Sequence, residues 1–107
     1  MDIQINTANT LDGREAMIAR LEGLVRERLA RFDGRLTRIE LHLSDINGPR
    51  TEGDDIRCQL EARLAGAEPL SVTDQAATAD QAAAGALTKA ATALDRAIGR
   101  TTSRKGH

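Results

Sequence analysis

The chain has 107 residues, 40% of them hydrophobic and 29% charged, with 15 Lys+Arg against 16 Asp+Glu for a net charge of −1. That length makes one domain with a modest core, and the scarcity of aromatic residues means the core is built from Leu, Ile, Val and Ala. One cysteine, Cys58, excludes an internal disulfide; one aromatic residue, Phe32, leaves no platform for stacking single-stranded bases; and no apolar run approaches the roughly 18 residues of a membrane span.

Residues 2–7 alternate, with Ile3 and Ile5 on one side and Gln4 and Asn6 on the other. This predicts a short half-buried strand. Asp12 is placed to cap the helix that follows, with Glu15 three residues on as its capping-box partner. The period then becomes helical over 13–32. Met17, Ile18, Leu21, Leu24, Val25, Leu29 and Phe32 fall on one stripe, and Gly34 supplies a stop.

Alternation returns over 36–46, with Ile39, Leu41 and Leu43 facing in and Arg38, Glu40, His42 and Ser44 facing out. Residues 47–53 (NGPRTEG) are dense in turn formers and predict a hairpin loop. A third strand is expected over 55–65, with Ile56, Cys58, Leu60, Ala62 and Leu64 inward. Gly66 and Ala67 form a tight turn. A shorter strand follows over 68–74, with Leu70 and Val72 inward and Pro69 suited to an early or edge position.

Residues 77–100 predict a second helix, capped by Thr78, whose apolar stripe is Ala83, Leu87, Ala90, Leu94, Ala97 and Ile98. Residues 101–107 read as a basic flexible tail beyond a single domain of residues 1–100. The order is β-α-β-β-β-α. One-sided strands and one-sided helices make an α+β two-layer sandwich: a four-stranded mixed sheet with both helices on one face. The first two strands flank a helix, so they are expected to be parallel, with a right-handed crossover. The other neighbours are antiparallel hairpins.

Near-neutral overall, the chain is uneven along its length. Residues 13–40 hold seven Arg against five acids, residues 41–75 three Arg against seven acids, and residues 76–107 five Lys and Arg against two acids. Both helical segments are therefore basic and the strand segment is acidic. Two basic helices can present a cationic face to a polyanion that the bulk charge conceals. Lys89, Arg96, Arg100 and Arg104 lie at i, i+7, i+11 and i+15, on one helix face, with Asp95 the acid nearest to them along the chain.

Other features have plain readings. Arg38, Arg57 and Arg63 fall on the outer sheet face beside Glu40 and Glu61, where cross-strand pairing accounts for them. His42 has no second His or Cys close by and makes a poor metal site. Cys58 falls mid-strand on the apolar face, with no His or Asp placed in the pattern to activate it. Asp54 and Asp55 read as a strand start after Gly53, and Gly48 and Gly53 do not have the spacing of a phosphate loop. No catalytic constellation, metal site or cofactor motif emerges, so the expectation is a non-enzyme with no small-molecule substrate.

Several motifs together resemble a known family. The opening Ile3-Gln4-Ile5-Asn6-Thr7 with Asn9 is similar to the start of short-form ribosome hibernation-promoting factors, also called the sigma-54 modulation or ribosome-associated inhibitor family. Arg28-Leu29-Ala30-Arg31-Phe32-Asp33 resembles that family's K-L-x-x-Y-F-D helix end, one residue shorter. Ile39-Glu40-Leu41-His42-Leu43 resembles its second strand. Leu94-Asp95-Arg96-Ala97-Ile98 resembles the L-x-R-Q-L of its last helix, with Arg100 where a Lys often stands. The final helix is more Ala-rich than the family pattern, and Ala93 stands where a basic residue is frequent. The resemblance covers nearly the whole chain.

It implies a cytoplasmic protein that binds the small ribosomal subunit (16S-type rRNA) in the decoding channel and silences the ribosome in stationary phase or stress. The long forms add a dimerising domain for which these residues leave no room, so a monomer off the ribosome is expected. The contact set expected from the residues is Arg28, Arg31, Lys89, Arg96, Arg100 and Arg104, gripping phosphates through forked or point-charge contacts rather than by catalysis. The competing reading is a protein-interaction module of the same fold, docking through its sheet edge or outer sheet face. A double-stranded-RNA-binding domain is set aside by order, because that fold begins with its helix.

Overall fold

Alternating apolar and polar residues build one four-stranded sheet, and two amphipathic helices cover one side of it. The structure is a computed structural model that describes residues 1–7, 14–45 and 56–106, with side chains described for 1–7, 15–45 and 56–99. The strands are β1 (Asp2–Thr7), β2 (Leu36–Asp45), β3 (Ile56–Leu64) and β4 (Leu70–Ala76), and the helices are α1 (Arg14–Arg28) and α2 (Ala79–Gly106). Sheet order is β1-β2-β3-β4. β1 pairs with β2 in parallel; β2–β3 and β3–β4 are antiparallel. The order and pairing are those the sequence predicts. The expected Asp12 cap and the 47–53 hairpin loop lie outside the described residues.

Register carries the core across the sheet in rows. One row runs Ile3, Ile39, Ala62, Leu70; the next runs Ile5, Leu41, Leu60, Val72. Ile39, Leu41, Leu60 and Ala62 are fully buried. The third row, Thr7, Leu43, Cys58, Asp74, keeps its apolar members in the two central strands and a polar one at each edge. The other face of the sheet carries Gln4, Glu40, Glu61 and Ser71 in one row and Asn6, His42, Gln59 and Thr73 in another, exposed or half-buried.

The predicted helix over 13–32 divides in two. α1 ends at Arg28, and a 3-10 turn follows over Ala30–Phe32. Leu29 leaves helical geometry at φ −112° and ψ 18°, and Phe32 N donates to Leu29 O at 3.0 Å. A 3-10 turn eclipses residues three apart, which puts Leu29 and Phe32 together in the core, both buried. Leu21 and Val25 of α1 are buried with them.

α2 begins where Thr78 predicts, with Gln81 N donating to Thr78 Oγ1 at 3.1 Å. Its helical backbone runs on to Gly106, past the end expected near residue 100. Ala82, Ala83, Ala86 and Ala90 are all fully buried, beside Leu87 and Leu94. Four alanines at the contact allow the helix to lie close over β3 and β4, which replaces the bulk that aromatic residues would supply. β4 starts at Leu70, after Pro69 and the Gly66 turn, where φ is +74°. Among the described residues this is the one left-handed backbone position, and glycine adopts it without strain.

Two ion pairs set the helices relative to each other. Arg20 meets Asp80 at 3.4 Å and Arg31 meets Asp95 at 2.7 Å. The later residue of the first segment meets the later residue of α2, so the two helices run the same way and their C-terminal ends share one end of the molecule.

Candidate nucleic-acid interface

Of the cations that the sequence singles out, Arg28 ends α1, Arg31 lies in the 3-10 turn after it, Lys89 lies in the first half of α2, and Arg96, Arg100 and Arg104 lie in its second half. Arg28, the last residue of α1, is exposed and has no ion-pair partner among the described residues. Arg96 on α2 is likewise exposed and unpaired among them. Arg100 and Arg104 continue the helix, with side chains outside those described. Exposed Arg26 and Arg35 add to the cations at the end of α1, a contribution visible in the sequence only as the density of arginine there.

Arg31 and Lys89 are engaged inside the molecule. Arg31 Nη1 and Nη2 donate to the two carboxylate oxygens of Asp95 at 2.7 and 2.9 Å. Its guanidinium carbon stands 4.3 Å from the centroid of the Phe32 ring, a cation–π contact. The hydrogen bond from Arg31 holds the Asp95 carboxyl below the usual carboxylate range and holds the guanidinium pKa above its ordinary value; the attraction of the two charges adds to both shifts and desolvation opposes them.

Lys89 turns the other way. Its Nζ lies 3.1 Å from Asp74 Oδ1 and donates to the Thr73 carbonyl at 2.8 Å. The helix anchors itself to the edge strand through this lysine, and the edge carbonyl is covered. Along the helix Asp95 is the acid nearest the basic row; in three dimensions Asp74 is nearer to Lys89, and it arrives from β4. Asp74 also sits against Gly85, where a Cβ would collide with its carboxylate.

The six residues therefore do not form one face. Lys89 marks the flank of α2 toward β4, and Arg96, two helical turns on, shares that flank. Asp95 marks the flank toward α1, where Arg28 and Arg31 stand. Cations lie on both sides of α2 in two strips, Lys89 and Arg96 toward β4 and Arg28 and Arg31 toward α1, with the Arg31–Asp95 pair on the α1 side.

The outer sheet face pairs Arg38 and Arg63 within itself, while Arg57 is exposed with no ion-pair partner among the described residues. Arg38 Nε lies 2.7 Å from Glu40, its other nitrogens reach Asp2 and Gln4, and Arg63 lies 3.6 Å from Glu61. His42 Nε2 is 3.2 Å from Glu40 and its Nδ1 is 3.4 Å from Asn6. The Glu40 and Glu61 pairs run along one strand, between residues two apart, and not across strands as the sequence suggests; the cross-strand contacts are those of Arg38 with Asp2 and Gln4 and of His42 with Asn6. Among the described residues, no group of three or more His, Cys, Asp or Glu could hold a metal, and no helix is long and apolar enough to cross a membrane. Cys58 is fully buried, and burial, helped by the Asp74 carboxylate beside it, pushes its thiol up to about 12. At neutral pH it is a small core residue and not a nucleophile.

No protein-family model and no curated protein matches this chain. Solved structures do. The N-terminal domain of Protein Y from Thermus thermophilus superposes with a TM-score of 0.65 at 20% identity, covering 90% of this chain and 98% of that one. The chain has the Protein Y fold. A ribosomal subunit interface protein from Coxiella burnetii superposes with a TM-score of 0.67 at 16% identity, covering 92% of this chain and 99% of the other. At these identities the likeness is one of fold, end to end.

Proposed function

We propose that this chain is a ribosome-associated silencing factor that binds small-subunit rRNA near the decoding channel through the basic C-terminal halves of its helices. The observation that carries this reading is the end-to-end match to a ribosomal subunit interface protein. The charge layout supports it: exposed Arg28 and Arg96 stand at one end of the molecule, with Arg100 and Arg104 further along the same helix. Arginine grips phosphate with a planar fork and needs no aromatic platform. In this reading the protein works in the cytoplasm as a monomer, occupies mRNA and tRNA positions, and acts in stationary phase or stress.

Co-sedimentation of the purified protein with ribosomes at low and moderate salt tests the proposal. About four to eight phosphate contacts would weaken binding by orders of magnitude across that range, since each contact releases counterions. Replacing Arg96 and Arg100 with Glu should abolish co-sedimentation while leaving the far-UV circular dichroism unchanged. Retained binding by the double variant would remove α2 from the contact set. The other reading, a protein-docking module, is favoured by one observation: the outer sheet face is uncovered and Arg38 and Arg63 on it are already paired, which suits a polar partner surface better than phosphate. Salt-insensitive association would favour that reading.

A further inference from the structure

Arg31 presents its two terminal nitrogens to Asp95 as a fork, at 2.7 and 2.9 Å. A pair of phosphate oxygens takes the same fork with the same geometry, so Asp95 occupies the place a phosphate would occupy. The Phe32 ring, itself buried, lies against the guanidinium with its centroid 4.3 Å from Cζ and steadies the cation at the helix end. Both side chains remain about half exposed, 59% for Arg31 and 51% for Asp95, so an RNA backbone can reach them. The carboxylate also belongs to α2 whereas the arginine follows α1, so the pair clasps the two segments that carry the cationic strips.

We propose that Asp95 competes with RNA phosphate for Arg31, an internal brake that sets both the affinity and the salt dependence of the basic surface. This rests on the ribosome-binding reading above. While the pair holds, the charge of Arg31 is already answered, and a phosphate entering the fork gains only the difference between two oxyanions. Once Asp95 is neutral, the full fork is available. Asp95→Asn keeps the side-chain volume and an oxygen that still accepts one N–H, so the clasp is weakened without a cavity.

Binding of the full chain to purified small ribosomal subunits, and to a short RNA hairpin, is measured across a salt series for four proteins: wild type, Asp95→Asn, Arg31→Gln and the double variant. Circular dichroism checks that each is folded. Asp95→Asn is expected to bind about two- to fivefold more tightly, the worth of one exposed ion pair, and to steepen the log–log salt slope by about one. Removing any acid near a polyanion also strengthens binding at long range, and the double variant separates the two effects. The gain should vanish when Arg31 is absent. If the gain persists in the Arg31→Gln background, it is a long-range charge effect and the inference is overturned. If the wild type binds subunits and Asp95→Asn binds them no more tightly, Asp95 positions Arg31 and does not compete for it, and this inference alone fails. If neither protein binds subunits or RNA, a released Arg31 grips no phosphate, and both the inference and the ribosome reading fail.

Discussion

Gly85 and Asp74 should behave as a coupled pair. Gly85 lies inside α2, where replacing glycine with alanine ordinarily stabilises a helix by about 1 kcal/mol. Here a Cβ would collide with the Asp74 carboxylate and stand 3.3 Å from the Asp74 Cβ. The carboxylate must swing away, and in doing so it leaves Lys89 Nζ, now 3.1 Å from it. Overpacking of this kind costs about 1–3 kcal/mol, and the half-exposed ion pair adds at most about 0.5 kcal/mol after solvent screening. Gly85→Ala should therefore destabilise the native chain by about 1 kcal/mol net. In an Asp74→Ala background the obstruction is gone, and the same substitution should stabilise by about 1 kcal/mol. Urea unfolding of the four proteins measures the coupling, expected near 2 kcal/mol. Stabilisation by Gly85→Ala in both backgrounds, with a coupling under about 0.5 kcal/mol, would refute the reasoning. It would mean that the Asp74 carboxylate is not seated against α2.

Two further outcomes follow from the core. Leu41 and Leu60 are fully buried neighbours in one row of the sheet, so truncating either to Ala should cost about 2–5 kcal/mol in urea or thermal unfolding; a loss below about 1 kcal/mol would reverse the assigned facing of the strands. Cys58 should resist thiol reagents in the native protein at neutral pH and react only as fast as the chain opens. Its folded pKa of about 12 lies above the ordinary 9.0, so the folded state holds the thiol proton after the unfolded state has lost it. Stability should accordingly be unaffected by this group below pH 9 and fall between 9.0 and about 12, and Cys58→Ala should flatten that fall. An unchanged slope would assign the alkaline loss to other groups.

Ile39, Leu41 and Leu43 show their facing in a few consecutive residues, because a strand repeats every second residue whatever lies beyond it. The stripe from Met17 to Phe32 shows a helix for the same reason. The 3-10 turn at Ala30–Phe32 does not, because the chain tightens there to bring Leu29 and Phe32 into the core, and that choice depends on what the core offers. Ala82 and Ala86 likewise join the buried face through the closeness of α2 to the sheet, a distance no window of sequence contains.

The sequence by itself determined the element order, the inward faces, the Thr78 cap and the concentration of arginine on the two helical segments. These are properties of neighbours in the chain, governed by backbone period and side-chain polarity. Only the tertiary structure decided which of those cations stand open. Lys89 meets Asp74 from β4, and Arg31 meets Asp95 from 64 residues away. Ion pairs form over a few ångströms of space regardless of sequence separation, so a charge that looks unopposed along a helix can be answered by an element packed beside it.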